Sequence, residues 1–145
     1  MVAAVPAFWD SSALAPLCMR EPATQRARGF LRQHSLVVWW AARVEVYSAI
    51  ARSLRTGFID PGEAQTSIAA LDKIQVAWSE IQPEKNLRDQ ACDLLDRYPL
   101  RAADALQLAA ALTWCDNHSS GRVFLCADKR LATVAETAGF SVILL

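Results

Sequence analysis

The stretch VPAFWDSSALAPL, residues 5–17, is decisive for the fold because it places one carboxylate between two apolar segments. VPAFW is typical of a short buried strand, and SSALAPL is typical of the helix that follows it. Asp10 lies where the strand ends. A carboxylate at the mouth of a buried strand is costly unless it caps a helix, accepts hydrogen bonds or holds a cation.

Short apolar runs alternate with longer helical patterns over the rest of the chain. The predicted strands cover residues 6–9, 36–40, 122–126 and 141–145. The predicted helices cover residues 12–19, 23–34, 42–54, 63–81, 86–98, 101–114 and 129–138. The strands are apolar without strict alternation, which is typical of strands covered on both faces. Together these patterns predict an α/β fold with a mostly parallel sheet.

Size and composition favour one domain over residues 1–145. The chain has 145 residues, and 53% of them are apolar, which is enough for a sizeable core. Its apolar runs are far shorter than the roughly 20 residues of a membrane helix, and its N-terminus lacks the basic start and cleavage site of a signal peptide. We therefore expect a cytoplasmic protein.

The cysteines and histidines do not form a metal motif. Cys18, Cys92, Cys115 and Cys126 include no Cys-x-x-Cys pair and no histidine at zinc-ligand spacing. Each lies among apolar residues, so we expect four buried free thiols. With only two histidines in the chain, a histidine-built metal site is disfavoured.

Net charge is zero, but positive charge is concentrated in the first third of the chain. Residues 1–55 contain seven arginines and three acidic residues. A basic segment of this kind favours contacts with the phosphates of a polyanion, although a solvated helix face accounts for the same pattern. The candidate arginines are Arg20, Arg26, Arg28, Arg32, Arg43, Arg52 and Arg55.

Four acidic residues differ from those on polar helix faces: Asp10, Glu45, Asp104 and Asp128. Each has an ordinary explanation when taken alone. Asp10 and Asp128 follow predicted strands and can cap helices, whereas Asp104 can interact with a helix dipole or with Arg101. Glu45 can be a surface residue, but it has no cation three or four positions away.

Taken together, the four acids predict a site for a divalent cation. In a parallel α/β sheet, the carboxyl ends of the strands and the helices that follow them meet at one edge. Carboxylates gathered there repel one another unless some are protonated or a cation is bound. Mg²⁺ or Mn²⁺ suits such an all-oxygen set better than zinc does. Ser11 or Ser12 would donate a hydrogen bond to Asp10 and fix its orientation.

The segments around these acids resemble the signature blocks of the PIN-domain nucleases, and in particular the VapC-like toxins of type II toxin-antitoxin systems. The blocks are DSSAL at Asp10, ARVEV around Glu45, LRAADALQLAAAL around Asp104 and ADKRLATVA from residue 127. In this order they span nearly the whole chain. Two positions depart from the family pattern: Cys126 replaces a common Thr or Ser, and Gln107 replaces a common His.

The resemblance implies a three-layer α/β/α sandwich and a metal-dependent endoribonuclease that hydrolyses RNA phosphodiester bonds with Mg²⁺ or Mn²⁺. It also implies a homodimer that a small cognate antitoxin protein inhibits. The implied acidic quartet is Asp10, Glu45, Asp104 and Asp128. We expect Asp10 and Asp104 as direct metal ligands, Asp128 as the holder of a second ion or of a metal-bound water, and Glu45 acting through water or as a base.

The expected substrate is single-stranded or looped RNA, because its bases are accessible. Trp9, Trp39 and Trp40 are available for base stacking, but aromatic residues in strands more often pack in the core. For the antitoxin we expect a helix docked in a groove, formed by the apolar faces of residues 41–55 and 63–81. The alternative is that both faces are buried in the core of the domain or in a dimer interface.

Two other functions fit parts of the sequence. A catalytically inactive PIN fold would serve as an RNA- or protein-binding module, although all four acids are present. A phosphotransfer or receiver domain would also end its first strand in an aspartate, but this chain lacks an Asp-x-Asp pair at Asp10.

Overall fold

The computed structural model describes residues 3–145 and arranges them around one parallel β-sheet. The strands are β1 (Val5–Trp9), β2 (His34–Trp39), β3 (Ser79–Ile81), β4 (Val123–Cys126) and β5 (Ser141–Leu144). The helices are α1 (Ser11–Cys18), α2 (Thr24–Leu31), α3 (Ala42–Arg55), α4 (Pro61–Ala77), α5 (Lys85–Arg97), α6 (Ala102–Trp114) and α7 (Lys129–Thr137). Each connection from one strand to the next contains a helix, as parallel pairing requires.

The strand order is β3-β2-β1-β4-β5, and every neighbouring pair is parallel. β1 is the central strand, where Phe8 pairs with Val37 of β2 and with Phe124 of β4. The chain builds one side of the sheet through β2 and β3 and then crosses to the other side through β4 and β5. Such a reversal leaves a ligand-binding crevice at the carboxyl ends of the central strands. The predicted α/β class with a parallel sheet is confirmed.

Helices cover both faces of the sheet. On one face, α5, α6 and α7 form a core with Phe8 and Phe124. On the other face, α1, α3 and α4 pack with Ala7 and Trp9. Because successive strand residues point to opposite faces, the central strand contributes to both cores. The three-layer α/β/α sandwich that the resemblance implied is confirmed.

The sequence prediction is wrong in the segment that ends at Ile81. The apolar spacing predicted one helix over residues 63–81, whereas α4 ends at Ala77 and Ser79–Ile81 forms the edge strand β3, paired with residues 37–39 of β2. Ile74, Trp78 and Ile81 happen to lie at helical spacing, and three residues are too few to show strand alternation. The second helix was likewise predicted too long, since His34 begins β2.

The expectation of four buried thiols holds for three cysteines and is wrong for Cys92, which is exposed on α5. Burial raises the pKa of the Cys18 thiol to about 12, with the nearby Glu21 charge adding to the effect. These buried thiols therefore stay protonated at neutral pH and are chemically inert. Within residues 3–145, none of the helices is long and apolar enough to cross a membrane.

Candidate active site

Two of the predicted site residues lie at the turns that follow the central strands. Asp10 follows β1 and is the N-cap of α1, while Asp128 follows β4 and is the N-cap of α7. The backbone N–H of Asp10 donates to the carbonyl of Leu125 in β4 at 2.9 Å, so the two turns start from adjacent strands. Both aspartates therefore lie at the carboxyl edge of the sheet, beside the strand-order reversal.

Each of these aspartates uses one carboxylate oxygen to cap its helix. Asp10 Oδ2 accepts the backbone N–H of Ser12 at 3.1 Å. Asp128 Oδ1 accepts the backbone N–H groups of Arg130 and Leu131 at 2.8 and 3.1 Å. Among the described residues, no hydrogen bond is made to Asp10 Oδ1 or to Asp128 Oδ2. Capping thus leaves one oxygen of each aspartate free for another partner.

The other two acids come from the first turns of two helices. Glu45 lies in the first turn of α3, which follows β2, and Asp104 lies in the first turn of α6. Burial raises the pKa of Asp104, the negative charge of Asp128 raises it further, and Arg101 and Arg130 oppose the shift. Burial is also the main cause of the raised pKa of Glu45, to which the charge of Asp104 contributes. Asp104 therefore lies close enough to Glu45 and to Asp128 for their charges to interact.

Asp10 is the most strongly perturbed of the four. It is 4% exposed, and burial raises its pKa to about 6 although the hydrogen bonds from Ser12 oppose the shift. The charges of Glu45 and Asp104 push the pKa in the same direction as burial. Neither salt bridge within residues 3–145 involves any of the four acids. A buried carboxylate with carboxylate neighbours and no cationic partner is an expected location for a bound cation.

Hydroxyl groups from the DSSAL segment hold two of these carboxylates. The Ser12 hydroxyl donates to Asp10 Oδ2 and accepts the backbone N–H of Ala127 at 2.8 Å, which links the turns after β1 and β4. Because the Ala127 N–H is a donor, the one hydroxyl proton of Ser12 is directed at Asp10. Ser11 donates instead to Glu45 Oε2 at 2.6 Å.

Gln107 also contacts Glu45, a contact that the sequence analysis did not predict. Its Nε2 donates to Glu45 Oε1 at 3.3 Å, and its side chain is completely buried. Gln107 lies three residues after Asp104 on α6, so both side chains share one helix face. This spacing, and a polar residue within the apolar run from Ala105 to Leu112, were the signals present in the sequence.

The donor atoms fit a hard divalent cation. Carboxylate oxygens are the preferred ligands of Mg²⁺ and Mn²⁺, and the nearby Cys126 thiol does not compete because burial raises its pKa to about 12. Within residues 3–145, no three His, Cys, Asp or Glu side chains converge closely enough to hold a metal ion by themselves. Mg²⁺ usually keeps several water ligands and needs only one or two protein carboxylates.

Two positive charges next to the site come from outside the arginine-rich residues 1–55, and two of the seven predicted arginines have other partners. Arg43 is paired with Asp72 at 2.8 Å, and Arg26 donates to the backbone carbonyl of Leu144 at 2.7 Å. Arg101 and Arg130 instead lie close enough to Asp104 to lower its pKa, against the dominant effect of burial. Arg101, three residues before Asp104, was already a candidate partner of that acid. Arg130 follows Asp128 by two residues, a local signal that the total charge of residues 1–55 does not reveal.

Two of the three candidate tryptophans belong to the core. Trp9 and Trp39 are 0% and 4% exposed, which matches the ordinary packing of aromatic residues in strands. Trp40, directly after β2, is 48% exposed. Only Trp40 of these three presents a ring that a ligand could contact in this conformation.

Matches to known proteins identify the family and the fold of this chain. Residues 7–137, which include all four acids, match the family described as PIN domain. The chain is 34% identical over 143 residues to "Ribonuclease VapC46" from Mycobacterium tuberculosis (strain ATCC 25618 / H37Rv), covering 94% of this chain and 95% of that protein. The crystal structure of PAE2754 from Pyrobaculum aerophilum matches with a TM-score of 0.67 at 16% identity, covering 96% of this chain and 88% of that chain. At 16% identity the structural match shows a common fold.

Proposed function

The chain belongs to the PIN domain family, and on that premise we propose that it is a metal-dependent endoribonuclease and the toxin of a toxin-antitoxin pair. The resemblance found in the four sequence blocks is confirmed over residues 7–137. A relative named as a ribonuclease, similar over nearly its full length, supports RNA as the substrate.

The observation that carries the proposal is the group of four acids at the carboxyl edge. Asp10 and Asp104 would hold Mg²⁺ or Mn²⁺ directly, and Asp128 would hold a second ion or a metal-bound water. When bound, the ion would act as a Lewis acid that lowers the pKa of the attacking water and neutralises negative charge on the phosphoryl group. The free oxygens Asp10 Oδ1 and Asp128 Oδ2 support these assignments, since the other oxygen of each carboxylate already caps a helix.

The remaining residues orient the acids and the RNA. Glu45 would accept the proton of the attacking water on its carboxylate, which Ser11 holds at 2.6 Å. Ser12 fixes Asp10 against the turn after β4. Arg101 and Arg130 would attract the RNA phosphates toward Asp104. In this arrangement the protein contributes positioning and charge, which is where most of the catalysis of phosphoryl transfer arises.

Cleavage of a panel of structured RNAs tests this function. Wild-type protein should cleave RNA with Mg²⁺ or Mn²⁺ and lose activity in EDTA. Asp10→Asn and Asp104→Asn should each lower kcat by about 100-fold or more, because each removes charge where a cation binds. Asp93→Asn is the matched control, since Asp93 is exposed on α5 and should leave activity unchanged. Cleavage that survives EDTA or either site substitution contradicts the mechanism.

The alternative function is an inactive PIN fold that binds RNA or protein. The specific observation in its favour is that the acids within residues 3–145 do not by themselves form a closed metal site. The same RNA panel separates the two functions. Metal-independent RNA binding without cleavage in any divalent ion would establish the binding module and refute the nuclease.

We propose the exposed apolar side of α3 as the antitoxin surface. Val44 is 66% exposed and precedes Glu45, and Tyr47 and Leu54 continue along the helix at 44% and 39%. A partner helix seated on these side chains would pack against α3, the helix that carries Glu45. Val44→Asp should therefore abolish antitoxin inhibition while RNA cleavage by the isolated protein continues; unchanged inhibition would reject this surface.

The other partners and the compartment are proposed from family membership. We propose a homodimer, which size-exclusion chromatography with light scattering checks directly. We propose the cytoplasm as the compartment, because the RNA substrate and a newly made antitoxin are both found there. Residues 1–145 are proposed to form a single PIN domain.

A further inference from the structure

Gln107 is a polar side chain at a fully buried position, where an apolar side chain would be usual. Within α6, Gln107 has no exposed surface, and the residues that follow it, from Leu108 to Ala111, are also fully buried. An apolar residue at this position would continue the buried face without any hydrogen-bond requirement. The buried amide group is therefore expected to have a hydrogen-bond partner.

Glu45 is that partner. Gln107 Nε2 donates to Glu45 Oε1 at 3.3 Å, and Ser11 Oγ donates to Glu45 Oε2 at 2.6 Å. The two donors come from different elements, α6 and the start of α1, and each holds a different oxygen. Both donors are neutral, so they orient the carboxylate without cancelling its charge.

Hydrogen-bonding chemistry determines the orientation of the Gln107 amide group. The reverse orientation would direct Gln107 Oε1 at the carboxylate, and two acceptors repel. In the orientation that bonds Glu45, Gln107 Oε1 is buried and has no hydrogen-bond partner in the described part of the chain. A buried carbonyl without a donor is unfavourable for folding. The amide therefore opposes stability at one atom while it orients Glu45 at the other.

We propose that Gln107 is a positioning residue that, together with Ser11, fixes the Glu45 carboxylate for the cleavage reaction and acts only through Glu45. The inference rests on the proposed ribonuclease function. Because Gln107 and Asp104 lie on one face of α6, the same helix also sets the separation between Asp104 and the Glu45 carboxylate. A carboxylate that acts on water needs this control, since misplacement of a reacting group by about 1 Å can cost as much as 100-fold in rate.

Gln107→Met tests the proposal because methionine is similar in length and lacks the amide. We expect kcat to fall by about tenfold or more with KM for RNA changed by less than about threefold. We also expect the melting temperature to stay equal or rise, since the unpaired Oε1 is removed. Gln107→His, which restores a ring N–H donor, should recover part of kcat. Gln90→Met is the matched control, because it removes a bond of 2.7 Å to Asn117 away from the site and should leave kcat unchanged.

A double-mutant cycle with Glu45→Gln identifies the route of the effect. If Gln107 acts through Glu45, Gln107→Met should change single-turnover cleavage by less than about twofold in the Glu45→Gln background. An equal loss in both backgrounds, an unchanged kcat, or a fall in melting temperature that accounts for the lost activity overturns the role of Gln107 alone. Absence of cleavage by the wild-type protein refutes the proposed function itself, and the role of Gln107 with it.

Discussion

Replacing Asp10 with asparagine should stabilise the metal-free protein at neutral pH while it abolishes activity. The difference between the ordinary pKa of 3.8 and about 6 in the folded protein corresponds to ~3 kcal/mol against folding when Asp10 is ionised. Asparagine retains an oxygen that accepts the hydrogen bonds from Ser12, and the strengthening of these bonds by the charge is already contained in the pKa of about 6. The net gain should therefore be ~3 kcal/mol at pH 7.5, or about 6 °C to 12 °C in melting temperature.

The pH dependence gives the sign of this effect. The folded protein holds the proton of Asp10 more tightly than the unfolded chain does, so stability is highest below the unfolded pKa and falls as pH rises through about 6. Asparagine has no such proton. The difference in unfolding free energy between the Asp10→Asn variant and wild type should therefore increase from pH 4.5 to pH 7.5.

Urea unfolding at both pH values, in EDTA and then with Mg²⁺, measures the prediction. A cation bound through Asp10 should stabilise the wild type by RT ln(1 + [Mg²⁺]/Kd), about 2.7 kcal/mol at 100 times Kd, and should stabilise the variant far less. Asp93→Asn controls for a change in total charge. A variant that is less stable than wild type by the same amount at both pH values would refute the electrostatic account of Asp10.

Three further outcomes follow from the structure. Ser12→Ala should destabilise the protein by ~1.5 to 3 kcal/mol and lower kcat, because it removes the hydroxyl that joins Asp10 to Ala127; urea unfolding and cleavage assays check this. Iodoacetamide should alkylate Cys92 well before Cys18 or Cys126, as peptide mass spectrometry would show, since the two buried thiols have pKa values of about 12 because of burial. A single domain over residues 1–145 predicts one calorimetric transition whose van't Hoff and calorimetric enthalpies agree.

The fold could be predicted from the sequence because its strands are covered on both faces. Continuous apolar runs, such as the one that ends at Trp9, predicted the central strands. The helical patterns between these runs predicted that the strands are connected in parallel. β3 could not be predicted in this way. It is a three-residue edge strand, and its existence depends on pairing with β2, which no local pattern of residues 79–81 encodes.

The sequence predicted which four acids form the candidate site, but it did not predict their hydrogen-bond partners. Asp10 and Asp128 follow strands, so topology alone brings them to one edge. The partner of Ser11 depends on the rotation of α1 relative to α3, which the sequence does not specify, and Ser11 consequently contacts Glu45 while Ser12 holds Asp10. The contact between Gln107 and Glu45 joins residues 62 positions apart, so it too required the packed structure.

Helix capping and ligand binding are compatible roles for the aspartates that follow β1 and β4. Each cap occupies one oxygen, Asp10 Oδ2 or Asp128 Oδ1, and the second oxygen of each carboxylate accepts no bond within the described residues. The helix N-terminus stabilises the negative charge that a cation requires, which partly offsets the burial of Asp10. A serine or threonine at either position would retain the cap and lose the second oxygen. The cap alone would accept several other residues, so it does not account for a carboxylate at these two positions, which supports the proposed binding of a cation there.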